Sequence, residues 1–336
     1  MYSAIRTLGA LVVLTVLTAC APQPDAMKPV PPDGARVLAR QLDADFARIR
    51  TDIEQLAARI APLYDQPDES FAGVDRSKYA FAANGAFYKT KDDGGAALWI
   101  SAAVPVTDAV TRVAYMTEAV DPWLIEICKL RPEVSQAYYN DRHSLNRIYP
   151  WFDTIAQYPA RMNIPEYNFY YLADAEHNPA RRGVWVNEPY VDPAGRGWMV
   201  SAIAPVYAKG RLEGVPGLDV TIASIVGRYL VDDQRAIAVI SSQGVLVAAT
   251  ESAIQHLEMP PLKSHKYLET VKLDTFQPDE YNILKSTVRT VRSLARDVMT
   301  GPDDGELHVE LAGTAHTVRH AKVKELGWWV LEMDPP

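Results

Sequence analysis

The chain has 336 residues, 48% of them hydrophobic and 23% charged, a globular composition long enough for about two domains. Its formal net charge is −8, which excludes the basic footprint of a nucleic-acid binder.

The first twenty residues read as a processing signal. Arg6 supplies a positive start, and an apolar run follows from Leu8 to Leu17. That run is shorter than the roughly 20 residues a membrane span needs and has the length of a signal-peptide core. Leu17-Thr18-Ala19-Cys20 then resembles a bacterial lipobox. The resemblance implies a signal peptide over residues 1–19, cleavage before Cys20 and lipidation of the Cys20 thiol; an ordinary secreted protein is the alternative. Buried acyl methylenes contribute about 0.8 kcal/mol each, so more than one chain holds a protein to its membrane. Ala21, not Asp, follows the cysteine. By the sorting pattern of Gram-negative lipoproteins this favours the outer membrane over the inner one, on the periplasmic face of the cell envelope. Residues 20–34 are Pro-rich and polar, and read as an extended tether. Removal of the leader takes away Arg6 and leaves the net charge at about −9. With Cys20 acylated, Cys128 has no disulfide partner and reads as a buried structural thiol. No second apolar span follows to Pro336, so a detected signal is expected to pass through a partner protein.

A long amphipathic helix is predicted over 35–68. Leu38, Leu42, Phe46, Ile49, Ile53, Leu56, Ile60 and Leu63 recur at steps of three and four, which puts them on one stripe. The stripe is expected to pack on the rest of the chain, with a dimer seam as the alternative. Tyr79–Tyr88 reads as strands interrupted at Ala83-Asn84-Gly85, and Ala96–Val106 as another strand. A helical pattern covers Thr107–Leu130, broken at Pro122, and Val134–Tyr149 reads as a hairpin turning near Asn140-Asp141. After an irregular aromatic stretch to Asn187, two extended runs, Gly197–Tyr207 and Leu212–Thr221, form a second hairpin. A second unit starts near Arg228. It has a hairpin around Gly244, a polar middle to Thr300 and three final strands over Glu306–Leu311, Thr314–Lys322 and Trp328–Met333.

No Gly-x-Ser-x-Gly, P-loop, His-Glu-x-x-His or Cys-x-x-Cys occurs, so no catalytic residue, metal site or cofactor is predicted and an enzyme is not expected. His316 and His320 lie in an alternating run and read as surface histidines. Gly195-Arg196-Gly197 reads as a loop.

Two segments stand out: Asn146-Arg147-Ile148-Tyr149-Pro150-Trp151-Phe152-Asp153, and Glu188-Pro189-Tyr190-Val191-Asp192 followed by Gly217-Leu218-Asp219. Pro-Trp-aromatic, Pro-Tyr-x-Asp and Gly-x-Asp in this order resemble the double Cache family, the PAS-like extracytoplasmic sensors of bacterial chemoreceptors and kinases. The resemblance covers residues 35–336 and is strongest from Val134 to Thr221. It implies an α+β fold in which the long helix precedes two PAS-like modules with antiparallel sheets. Residues 69–227 would form the membrane-distal, ligand-binding module and 228–336 the membrane-proximal one.

By position, the amino-acid-binding branch implies a pocket with Trp151 and Phe152 as aromatic walls, and Tyr190, Asp192 and Asp219 around a ligand ammonium. The family arginine two places before the Trp is replaced by Tyr149. Arg147 is expected to share a face with Tyr149 and Trp151, and Arg161, Arg181 and Arg182 are further candidates. Tyr139, Tyr149, Tyr170 and Trp185 could complete an aromatic box. Two converging carboxylates repel, so one should have a raised pKa until a cation binds. Cation–π contacts add about 0.5–2 kcal/mol each. The expected function is a lipoprotein that senses a small amine or amino acid. The alternative is a structural or adaptor lipoprotein with a vestigial pocket.

Overall fold

The computed structural model describes residues 34–65, 73–231, 233–260 and 279–334. The leader 1–19, Cys20, the tether up to residue 33 and the stretch 261–278 of the polar middle lie outside the described residues.

Helix α1 spans Gly34–Ile60. Leu38, Leu42, Phe46, Ile49, Ile53, Leu56 and Ile60 are all buried, so the predicted stripe faces the protein. The helix ends earlier than residue 68. Pro62 lies in the first turn of the 3-10 segment Ala61–Tyr64, where it removes a donor and stops the α-helical ladder.

Fourteen strands follow among the described residues. They are β1 (Tyr79–Phe81), β2 (Phe87–Lys89), β3 (Ala97–Ile100), β4 (Gln136–Asp141), β5 (Leu145–Tyr149), β6 (Val184–Val191), β7 (Trp198–Ile203), β8 (Val206–Ala208), β9 (Arg211–Thr221), β10 (Ala236–Ile240), β11 (Leu246–Ala249), β12 (Asp304–Leu311), β13 (Thr314–Val323) and β14 (Trp328–Asp334). The first nine form one antiparallel sheet in the order β1-β2-β3-β5-β4-β9-β7-β6, with β8 on β9; the last five form another in the order β11-β10-β14-β13-β12. The helices between are α2 (Asp108–Met116), α3 (Asp121–Leu130), α4 (Thr154–Gln157), α5 (Asn168–Tyr171), α6 (Ile222–Tyr229), α7 (Glu251–His256) and α8 (Arg289–Thr300). The predicted break at Pro122 is a 3-10 stretch, Thr117–Val120, just before α3. The strand expected over Ala96–Val106 is confined to β3.

The two sheets share one continuous core with α1. Leu98, Ala137, Tyr139 and Val220 of the first sheet and Ile237, Val239, Trp328 and Val330 of the second belong to the same buried cluster as the helix stripe. Phe46 stands at the junction, its ring 5.0 Å from that of Trp185 on β6 and 6.1 Å from that of Trp328 on β14. Polar contacts reinforce the seam. Glu332 on β14, fully buried, accepts from Ala35 N at 3.0 Å and so caps the start of α1. Asn187 on β6 donates to Leu326 O at 2.9 Å, and Trp328 Nε1 donates to Asn187 O at 2.7 Å.

His316 and His320 are buried, not on the surface. They sit on β13 between two strands, and the face they share with Val318 is the covered one. The His316 ring lies 4.5 Å from that of His256, and His320 packs beside Trp329. Among the described residues no group of three His, Cys, Asp or Glu could hold a metal, and no helix is long and apolar enough to cross a membrane.

Phe46→Ala removes the ring that joins helix and both sheets, and is expected to destabilise the protein by about 3–5 kcal/mol. Urea unfolding followed by tryptophan fluorescence measures it; a loss under about 1 kcal/mol would mean that the junction carries little stability.

Candidate functional site

Strand β4 lies in the interior of the first sheet and is buried on both faces. Its residues therefore split by alternation alone. Gln136, Tyr138 and Asn140 face one side, where a cavity lies; Ala137 and Tyr139 face α1 on the other. Strand β9 runs beside it, with Asp219 opposite Gln136 and Gly217 opposite Tyr138. The glycine is needed there: a Cβ at Gly217 would sit 2.1 Å from Tyr138 Cζ. Gly214 does the same on the opposite face, where a Cβ would come within 2.2 Å of the Tyr139 hydroxyl. The two glycines let two adjacent tyrosine rings lie across β9, one on each side of the sheet.

Asp192 follows the end of β6, and its turn holds it over the cavity. Its carboxylate accepts from Ala194 N at 2.8 Å and Arg196 N at 3.0 Å, and its own N–H donates to Gly197 O at 2.9 Å. Asp219 and Asp192 are linked by one amide. Gln136 Nε2 donates to Asp219 Oδ2 at 2.6 Å and to Asp192 Oδ2 at 3.3 Å. Ser201 Oγ donates to Asp219 Oδ1, and the Tyr190 hydroxyl lies 2.6 Å from Ser201 Oγ.

The segment from α4 to α5 roofs the cavity. Phe169 stacks on Tyr190 at 5.8 Å and meets Tyr138 edge-on at 6.2 Å. The half-enclosed space, about 330 Å³ when its open mouth is counted, is lined also by Asn146, Ile148, Tyr158, Met162, Ile164 and Pro193. It is small, with room for roughly two ordered waters. No lysine, arginine or histidine is among the lining residues.

The electrostatics follow from that composition. Burial, and then the neighbouring Asp192, push Asp219 up to about 8, while the Ser201 and Gln136 hydrogen bonds pull the other way. Burial also raises Asp192, opposed by its two backbone donors. Tyr138, Tyr158 and Tyr190 are held well above the ordinary phenol range by burial and by the same carboxylates. Two buried polar atoms of the wall, Gln136 Oε1 and the Tyr138 hydroxyl, have no hydrogen-bond partner.

Tyr190, Asp192 and Asp219 thus meet at one cavity, and the other predicted residues do not line it. Tyr139 and Tyr149 point to the α1 side, since strand alternation sends every second residue there; Tyr139 bonds to the Tyr64 hydroxyl. Trp185 is on that side too, against Phe46. Trp151 and Phe152 lie on the cavity side but behind the wall, packed on Ala97, Tyr138 and Ile148. Arg147 and Tyr149 share a face as expected, whereas Trp151, beyond the end of β5, does not join them. Tyr170 packs in the aromatic cluster with Phe169, away from the cavity wall. Arg147 is fully buried on the α1 side and consumed there. It bonds to Asp121 Oδ1 at 2.8 Å, Ala114 O at 2.6 Å and Thr117 Oγ1 at 3.1 Å. Arg161, Arg181 and Arg182 do not line the cavity either. Sequence reasoning missed Gln136, Tyr138, Tyr158, Phe169 and Ser201. The register β4–β9–β7 brings Gln136 and Ser201 to Asp219, and that register has no mark in a strand apolar or buried at every position.

No family model matches the chain, and no curated protein sequence does. Solved structures do match its fold. The extracellular domain assigned to the histidine kinase mmHK1S-Z2 aligns over 90% of this chain and 94% of its own, at 13% identity and a TM-score of 0.50. The ligand-binding domain of the Pseudomonas aeruginosa PAO1 amino acid chemoreceptor PctB, in complex with L-Gln, aligns over 90% of this chain and 88% of its own, at 14% identity and a TM-score of 0.50. The chain has the fold of the extracellular sensor domains of chemoreceptors and histidine kinases. Its leading helix and two antiparallel sheets form the α+β arrangement expected from the double Cache resemblance.

A buried carboxyl raised to about 8 makes the folded state hold more protons than the unfolded chain from about pH 4 upward. Stability contributed at low pH is therefore lost as pH rises through that window. Asp219→Asn is expected to raise the melting temperature by several degrees at about pH 8 and to leave it unchanged near pH 4. Calorimetry across this range checks the sign; equal effects at both ends would contradict it.

Proposed function

We propose that this chain is an extracytoplasmic sensor that binds a small molecule through its ammonium group, an amine or an amino acid, and passes its bound state to a partner protein. The supporting observation is the pair of buried carboxylates, Asp192 and Asp219, facing one cavity whose lining holds no cation. A ligand ammonium supplies the missing charge and charge-assisted hydrogen bonds. The aromatic wall of Tyr138, Tyr158, Phe169 and Tyr190 suits a cation as well. The fold is shared with domains that sense ligands outside the cytoplasm, among them one holding L-Gln.

In this proposal residues 69–227 form the membrane-distal ligand-binding module and 228–336 the membrane-proximal one. Cys20 carries the lipid that holds the protein to the cell envelope, with the outer membrane favoured by Ala21. One observation favours a structural or adaptor protein instead: both carboxylates already accept hydrogen bonds from the protein. The unpartnered Gln136 Oε1 and Tyr138 hydroxyl weigh against a closed, vestigial pocket.

A thermal-shift screen of amines and amino acids is expected to find a stabilising ligand whose effect disappears in Asp219→Ala. A broad screen with no shift at neutral pH would leave the adaptor as the better description. Because Asp219 is protonated below about pH 8 when the cavity is empty, binding at pH 7 should release up to about one proton, and affinity should rise by at most tenfold per pH unit toward about pH 8. Titration calorimetry in buffers of different ionisation enthalpy measures that proton. Lipidation has its own check: Cys20→Ser should move the protein from the membrane fraction to the soluble fraction.

A further inference from the structure

We infer that Gln136 makes the cavity selective for primary ammonium groups over N-methylated ones. This presupposes the cation-binding cavity proposed above and goes on to fix how many N–H donors the ligand nitrogen carries.

Gln136 is buried, and its side chain lies on the cavity wall. Its amide orientation is set by its neighbours. Nε2 serves Asp219 Oδ2 and Asp192 Oδ2 together, and with Asp219 ionised, as it is beside a bound cation, the reverse orientation would set an acceptor oxygen against two carboxylates. This orientation leaves Oε1 buried with no donor. The other amides of the wall answer each other: Asn146 Nδ2 donates to Asn140 Oδ1 at 2.8 Å, and the Tyr158 hydroxyl donates to Asn146 Oδ1 at 3.2 Å. Among the lining residues, the buried side-chain atoms without a partner are therefore Gln136 Oε1 and the Tyr138 hydroxyl, and of these two Gln136 Oε1 belongs to the side chain that bridges both carboxylates.

A primary ammonium has three N–H donors, and the cavity has three residues to receive them: Asp192, Asp219 and Gln136. Each N-methyl group removes one donor, so the glutamine oxygen or a carboxylate goes unpaired in a buried site, a costly arrangement. Each also adds volume to a small cavity walled by Tyr138, Tyr158, Phe169 and Tyr190.

The test separates pairing from size. Dissociation constants for methylammonium, dimethylammonium and tetramethylammonium are measured on the full chain by thermal-shift titration. Gln136→Met and Gln136→Glu are compared, and their unfolding curves confirm folding. The wild type is expected to bind methylammonium at least tenfold more tightly than tetramethylammonium. Gln136→Glu, which keeps an oxygen at the same reach, retains that preference. Gln136→Met, which keeps the length and loses the oxygen, binds methylammonium about tenfold more weakly, and most of the preference vanishes. A preference that survives intact in Gln136→Met is steric and overturns the role of Gln136, as does a Gln136→Glu that behaves like Gln136→Met. Should Gln136→Met not fold, a flat wild-type ranking or a Gln136→Glu without preference still overturns it. Failure of the wild type to bind any of the three, with titrations matching those of Asp219→Ala, refutes the cation-binding cavity itself.

Discussion

The apolar stripe of α1 organises the molecule. One helix of 27 residues, about 40 Å long, packs across β7–β9 of the first sheet and β13–β14 of the second and joins their cores. Because that face of the first sheet is filled by helix side chains, polar residues that must meet a ligand are left only the opposite face. Arg147 shows the consequence. Its strand position turns it toward the helical side, and there it is spent on Asp121, Thr117 and a backbone carbonyl. A buried cation bound in this way is a structural element, and removing one partner would leave a charge uncompensated.

On the free face the protein holds the opposite kind of site. Asp192 and Asp219 are kept close by a glutamine, a serine and two backbone N–H groups; no lysine, arginine or histidine lines the cavity, and the Arg196 charge lowers both carboxyls without a hydrogen bond from its side chain. Burial of two neighbouring carboxyls opposes stability once both are ionised. The two clusters meet charge differently: Arg147 is paired with Asp121 within the chain, whereas in the cavity burial and Asp192 raise Asp219.

The cavity is also close in sequence to the contact between the sheets. Strand β6 contains a register irregularity between Val186 and Tyr190. On one side of it Tyr190 and Asp192 meet the cavity. Within it, Asn187 bonds to Leu326 and Trp328, and Glu188 accepts from Ser242 and Gln243 of the second unit. A ligand that pulls on Asp192 acts on a strand whose neighbouring residues are pinned to the other sheet. The two sheets share one core, and one helix lies across both.

Patterns with a fixed local period were legible in the sequence. The spacing of Leu38 through Ile60 fixed a helix with one buried face, and turn residues such as Gly244 placed the hairpins. Asp192, Asp219 and Tyr190 could be picked out by the Pro-Tyr-x-Asp and Gly-x-Asp motifs of the double Cache resemblance, short contiguous patterns that need no knowledge of strand pairing. The side of the sheet could not be read for Tyr139 or Tyr149, nor could Gln136 and Ser201 be found. In strands covered on both faces, both alternating sets are buried and hydropathy carries no side label. Tyr138 and Tyr139 are adjacent and chemically identical; only the pairing of β4 with β9, and the packing of α1 against one face, decide that one ring walls the cavity and the other belongs to the core.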